Sequence, residues 1–207
     1  DLRGHKPRTV TCRPSSALKA YVQSLVRRAE RLRTDRIDPR VDNMLSITND
    51  GRKAALDMRL VDATALADPE GKVVKCAHEV HEIWQRTAGS KCAQLVFCDL
   101  STPKGGREFS VYEDLRDHLV ERGLPADEIA FIHDAETDAQ KARLFRRVRE
   151  GSVRVLLGST QKMGIGTNVQ KRLVAVHELD CPWRPCDVEQ REGRILRQGN
   201  ECEEVEI

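Results

Sequence analysis

Residues 190–199, Gln-Arg-Glu-Gly-Arg-Ile-Leu-Arg-Gln-Gly, concentrate the groups in this chain that could do chemistry. Gln190, Arg194 and Arg197 stand at i, i+4 and i+7, a spacing that puts side chains on one face of a helix. Two guanidiniums fixed on one face suit a polyphosphate whose negative charge grows during transfer, because each offers a planar fork of donors and a permanent charge. The preceding residues, Asp180 to Pro185, read as the end of a buried strand and a turn marked by Trp183 and two prolines. The spacing therefore predicts a short helix carrying Gln190, Gly193, Arg194 and Arg197. A solvated basic helix would use the same arginines without chemistry.

These residues need a scaffold, and the chain from Gln94 onward supplies its pattern. Apolar runs at 94–98, 129–132, 153–157 and 173–179 read as strands covered on both faces. Helical segments separate them. Ser110 to Glu113 and Thr137 to Gln140 are capping-box patterns, opening helices that end near Gly123 and Gly151. Strands alternating with helices predict an α/β fold with a mostly parallel sheet and right-handed crossovers. In such sheets ligands gather at the carboxyl ends of the strands. Polar clusters fall at three of these ends: Asp99 to Pro103, His133 with Asp134, and Gly158 to Asn168. In the last, glycines allow close approach to a phosphate, and Ser159, Thr160 and Lys162 could each grip one. Lys162 precedes Gly164, so a Walker loop of the form Gly-x-x-x-x-Gly-Lys-Ser/Thr cannot form there.

The first 70 residues read as a helical lead-in and residues 71–207 as the main domain. A helix is expected from Ser15 or Ser16 to about Arg33, and a loop over 34–48. Asn49, Asp50 and Gly51 would open a second helix through Leu60, and a third spans about 72–86. Residues 1–60 hold 14 Lys/Arg against 7 Asp/Glu, leaving 21 against 26 for the remainder of a chain of net charge +2. The basic first third fits either nucleic acid contact or a solvated helix face. The seven cysteines are scattered, which argues against a disulfide framework and fits a reducing, cytoplasmic setting. Cys76, His78, His81 and Glu82 invite a metal reading, but the two histidines stand three apart rather than four, so no metal site is expected. No apolar run approaches the roughly 20 residues of a membrane span. The chain opens at Asp1 without Met and closes on a segment, 203–207, that reads as a strand beginning. A fragment of a longer protein is expected.

The 190–199 segment resembles motif VI of superfamily 2 helicases and translocases, above all their Swi/Snf-like branch. Asp99-Leu-Ser-Thr-Pro103 resembles motif IV, and the run from Gly158 to Asn168 resembles motif V with its lead-in. Residues 130–134, 154–160 and 179–185, with 42–60 upstream, look like the C-terminal lobe of phage and mobile-element proteins that join a helicase to an adenine-specific DNA methylase. Thr167 departs from the remodeller pattern, which usually carries Leu there.

The resemblance implies a RecA-like domain with a helical N-terminal extension. It makes Arg194 and Arg197 arginine fingers, with Gln190, Gly166 and Asn168 lining the nucleotide. It puts Ser101, Thr102, Thr160 and Lys162 against a DNA strand. Its partners are DNA, the N-terminal RecA-like lobe of the same polypeptide and a fused methylase. ATP would be shared with that first lobe, which would hold Mg²⁺. The sequence contains no Walker A loop, no Asp-Glu-x-His-type magnesium motif and no methylase motif. Phosphoryl transfer needs a phosphate cradle and Mg²⁺ as well as fingers, so this chain is not expected to hydrolyse ATP alone. Two other classes fit less well: a catalytically silent DNA-binding or docking module of the same shape, and an independent α/β enzyme such as a methyltransferase or dehydrogenase.

Overall fold

The structure, a computed structural model, describes residues 7–35, 38–103, 108–164, 169–196 and 198–207. Four strands form one sheet: β1 (Ala93–Phe97), β2 (Ile129–Phe131), β3 (Val155–Gly158) and β4 (Leu173–Glu178). Their order is β2-β3-β1-β4 and every pairing is parallel. The chain steps out from β1 to β2, returns to β3 between them, and then crosses β1 to reach β4. The carboxyl ends of β3, β1 and β4 therefore lie side by side.

Alternate strand residues feed two apolar layers, as the two-residue period of a strand requires. Val96, Val155, Leu157 and Phe131 pack with α3 (Lys72–Arg86) and α4 (Val111–Glu121). Leu95, Phe97, Leu156 and Val176 pack with α5 (Asp138–Glu150) and with Met163 of α6 (Thr160–Gly164). All five residues of β1 are buried, which explains why that strand reads as a continuous apolar run. α7 (Pro185–Glu192) follows β4, and Pro at its first position suits a site where a backbone donor would go unused.

The expectations for α3 and for the capping box at Thr137 and Gln140 match the structure, both reciprocal hydrogen bonds being present at α5. Others need correction. The second helix, α2 (Met44–Leu56), starts inside the expected loop because Asn43 caps it, accepting from the Ser46 amide. Gly51 is internal to that helix, which packs on α1 (Ser16–Thr34), and a Cβ there would make only an ordinary contact with Leu25. Ser110 makes no side-chain cap at α4. Ser101 supplies it from a distance, its Oγ accepting from the Val111 amide at 3.0 Å.

The C-terminal segment pairs in parallel with β4 through Glu206 and Ala175, and the Arg8 amide donates to the Ile207 carbonyl. Among the described residues no helix is long and apolar enough to cross a membrane.

Two positions test this account. At Gly158 an added Cβ would fall 2.6 Å from both Ile132 and Met163, so α6 seats against β3 only because that residue is glycine. Gly158→Ala is expected to lower stability by about 1–3 kcal/mol through overpacking, read from urea unfolding. His177 hydrogen-bonds Gln94, whose amide also holds the Val80 carbonyl of α3. Removal from solvent, with Arg8 nearby, lowers the His177 pKa to about 4. Its neutral form therefore supports the fold fully above the unfolded value of about 6.5. That support should fade as pH falls from 6.5 towards 4, and His177→Gln should flatten the decline in melting temperature across that window.

Candidate functional site

The convergence of three strand ends is held by one residue, Arg191 of α7, whose side chain is fully buried. Its Nε donates to Thr160 Oγ1 at 2.8 Å. Its Nη1 donates to the Asp180 carbonyl at 2.9 Å, and its Nη2 to Asp99 Oδ2 at 2.7 Å and Asp180 Oδ1 at 3.1 Å. Glu178 stands 3.8 Å away, and the guanidinium lies 5.2 Å from the centre of the Phe97 ring. Burial pulls the Arg191 pKa down, but Asp180 and Asp99 outweigh it and hold the group above its usual range. The surplus of negative charge shows at Glu178. Burial, with Glu192, Asp180 and Asp99, raises its pKa against the pull of Arg191.

The two aspartates are themselves anchored. Asp180 Oδ2 accepts from the amides of Asp99 and Leu100 at 2.5 and 2.8 Å, which joins the loop after β1 to the end of β4. Asp99 accepts from the Thr160 amide at 2.7 Å and from its hydroxyl at 2.8 Å, which joins the same loop to α6 after β3. Every charge taken out of water here has partners, the condition under which a buried ionic group is tolerated.

Beside this cluster Gln190, Arg191 and Arg194 line a shallow crevice with Phe97, Thr160 and Met163. The crevice is too tight to hold a nucleotide, so any ligand of this edge would sit across its mouth. Gln190 is exposed, whereas Arg194 is 8% exposed. This corrects the helix expected to carry Gln190 through Arg197. α7 stops at Glu192, Gly193 ends it, and Arg194 sits in the following turn. The shared-face argument thus extends only to the crevice that Gln190 and Arg194 both line. Arg197, Gly166 and Asn168 lie outside the described residues.

The expected DNA contacts divide. Lys162 is exposed and Thr102 half-exposed, at the same end of the sheet. Thr160 donates its hydroxyl to Asp99 and receives Arg191, so that oxygen is engaged inside the lobe. Ser101 caps α4 through its Oγ and is 8% exposed. His133 stacks edge-on against Tyr112 at 5.3 Å, with burial first and then Lys162 lowering its pKa. Of the residues that invited a metal reading, Cys76 points into the core and His78 faces solvent, paired with Glu82. Among the described residues no group of three or more His, Cys, Asp or Glu could hold a metal ion.

Residues 77–199, more than half of the chain, match the family described as the helicase conserved C-terminal domain. The chain belongs to that family, and its RecA-like fold is that of a helicase C-terminal domain.

Solved structures give lower similarity. The C-terminal part of the Fun30 ATPase domain is 18% identical with a TM-score of 0.48, covering 70% of this chain and 43% of that one. The Hef helicase domain of Pyrococcus furiosus is 18% identical with a TM-score of 0.42, covering 89% and 34%. The DUF1998 helicase MrfA bound to DNA and AMPPNP is 16% identical with a TM-score of 0.41, covering 57% and 16%. This chain therefore spans less than half the length of each. A comparison with curated protein sequences finds no significant match.

Arg191 was not singled out by spacing, yet a signal existed. Asp99 and Asp180 each follow an apolar strand directly, and two carboxylates at neighbouring strand ends require a cation between them. Arg191→Ala is expected to cost about 3–5 kcal/mol, because it strands buried carboxylates. Arg184→Ala, which removes an exposed pair with Asp187, should leave the urea midpoint close to that of the parent. Urea unfolding of the two variants separates a buried pair from a surface one.

Proposed function

We propose that this chain is the C-terminal lobe of a superfamily 2, Swi/Snf-like, ATP-dependent DNA translocase or helicase. It would complete an ATP site whose phosphate cradle and Mg²⁺ ligands belong to the N-terminal lobe of the same polypeptide. The supporting observation is the crevice where Gln190 and Arg194 meet Thr160 and Met163, motif VI against the lead-in to motif V, within a helicase C-terminal family match.

ATP bound by the first lobe would supply the phosphoryl group. Gln190 would orient polar groups of the nucleotide from the exposed face of α7, with Gly166 and Asn168 completing the lining. Arg194 and Arg197 would stabilise charge on the γ-phosphate, and Arg191 would hold the segment that presents them. Lys162 and Thr102 would contact the DNA backbone, while Thr160 and Ser101 keep their loops in shape. Closing and opening of the lobes would then move one DNA grip relative to the other. A fused methylase domain and a phage or mobile-element origin belong to this reading through resemblance alone.

The competing reading is a silent DNA-binding or docking module. It has one observation in its favour: Arg194 is 8% exposed and must become more accessible to meet a phosphate.

DNA-stimulated ATP turnover by this chain joined to its N-terminal lobe decides between them. Arg194→Ala and Arg197→Ala should each lower turnover by roughly 10²-fold or more, with DNA affinity little changed. Turnover equal to that of the parent would favour the silent module. Lys162→Ala should weaken DNA binding across sequences and reduce the salt dependence by about one counterion.

A further inference from the structure

We infer that Arg52, on α2 of the helical extension, is a positioning residue for α7. The extension would thereby be part of the unit that presents motif VI. This rests on the proposed function for its consequence in turnover, but not for its geometry.

Arg52 Nη2 donates to the Cys181 carbonyl at 2.5 Å, across 129 positions of sequence. Its guanidinium also lies 4.6 Å from the centre of the Trp183 ring, which is otherwise 56% exposed. Cys181 and Trp183 belong to the turn between β4 and α7. One residue earlier, Asp180 is fixed on the inside by the Asp99 and Leu100 amides and by Arg191. The turn is thus held from two sides: Asp180 inside the lobe, and Arg52 outside it. Pro182 and Pro185 restrict the backbone between Cys181 and the start of α7, so displacement at Cys181 passes into that helix.

The grip has a stiff support. Arg28 of α1 pairs with Asp42 and Asp50, bonding the two helices of the extension next to Arg52. Arg59, just beyond α2, joins Asp57 and Asp114 and lies 3.9 Å from the centre of the Phe109 ring, anchoring the extension to α4. Leu56 enters the main core. The extension is therefore seated on the lobe at its base, through Leu56 and Arg59, and touches the catalytic-side turn through Arg52.

Hydrogen exchange followed by mass spectrometry on this chain tests the geometry. Arg52→Ala should speed exchange of the α7 amides, residues 187–192, by roughly fivefold or more, since a charged hydrogen bond and an exposed cation–π contact are lost. Exchange in β1, β3 and β4 should stay as in the parent. Unchanged α7 exchange, or a uniform rise through the strands, would overturn the inference.

In the chain joined to its N-terminal lobe, Arg52→Ala should lower kcat for DNA-stimulated turnover several-fold, leaving the Kd for DNA within about twofold. Arg52→Lys, which keeps a donor for Cys181, should recover part of both effects. Looser α7 amides with unaltered kcat, in an enzyme that Arg194→Ala disables, would also overturn it. If Arg194→Ala leaves turnover intact, the functional reading fails alone and the exchange result still decides the role of Arg52.

Discussion

The site end of this domain depends on a single buried cation. Arg191 contributes one positive charge to a space that also contains Asp99, Asp180 and, at its edge, Glu178. A guanidinium can do this because its donors lie in a fixed plane and serve several acceptors at once, whereas an ammonium would satisfy fewer and shed its water less readily. Each acceptor comes from a different piece of chain: the loop after β1, the start of α6, and the end of β4. Backbone hydrogen bonding within the sheet fixes the strands but says nothing about the loops beyond them. The ionic cluster extends order past the sheet into those loops. Buried ionic groups seldom add net stability over an apolar alternative. The value of this one lies in specifying a single arrangement of three loops and a helix.

Such an arrangement bears on how the lobe could respond to a nucleotide. Gln190 and Arg194 flank Arg191 in sequence and line the same crevice. Any force on them passes into a residue that also holds Thr160 and Asp99, and so into the two loops where Lys162 and Thr102 stand. Under the proposed function, nucleotide-side and strand-side residues would share this hub. In a lobe of a DNA-driven motor, that is the simplest route by which contact at one edge could bias the other, since a packed and fully hydrogen-bonded cluster moves as a body.

The sheet was legible in the sequence because its strands are buried on both faces and carry almost no polar residue. β1 and the first four residues of β4 are buried throughout, while His177 and Glu178 carry β4 out towards the site. The capping box at Thr137 was legible because its chemistry is local, whereas the cap of α4 was not, because Ser101 reaches it from ten residues away. The start of α2 was missed since Asn49, Asp50 and Gly51 resemble a helix entrance, whereas the cap is Asn43, six residues earlier. In the 190–199 segment helical periodicity was extended past Gly193, whereas α7 ends at Glu192. Buried arginines defeated the reading altogether. Arg154, which holds the Cys92 and Trp84 carbonyls, and Arg191 look in sequence like any solvated surface cation.

Under the proposed function, the burial of Arg194 bears on how the lobe would meet a phosphate. A guanidinium in a tight crevice pays little conformational entropy when it engages a ligand, because its rotamer is already restricted. It must nevertheless surrender its present contacts, and the exchange favours a phosphate only where a second surface excludes water and brings concentrated negative charge to the mouth of the crevice. A residue so placed would be quiet in the isolated lobe and would act only on closure. Arg194 lines that crevice with Met163 and Gln190, three residues beyond the buried Arg191. Under the proposed function, exposure of Arg194 would be conditional on a partner surface, so that hydrolysis would wait for assembly of the whole site.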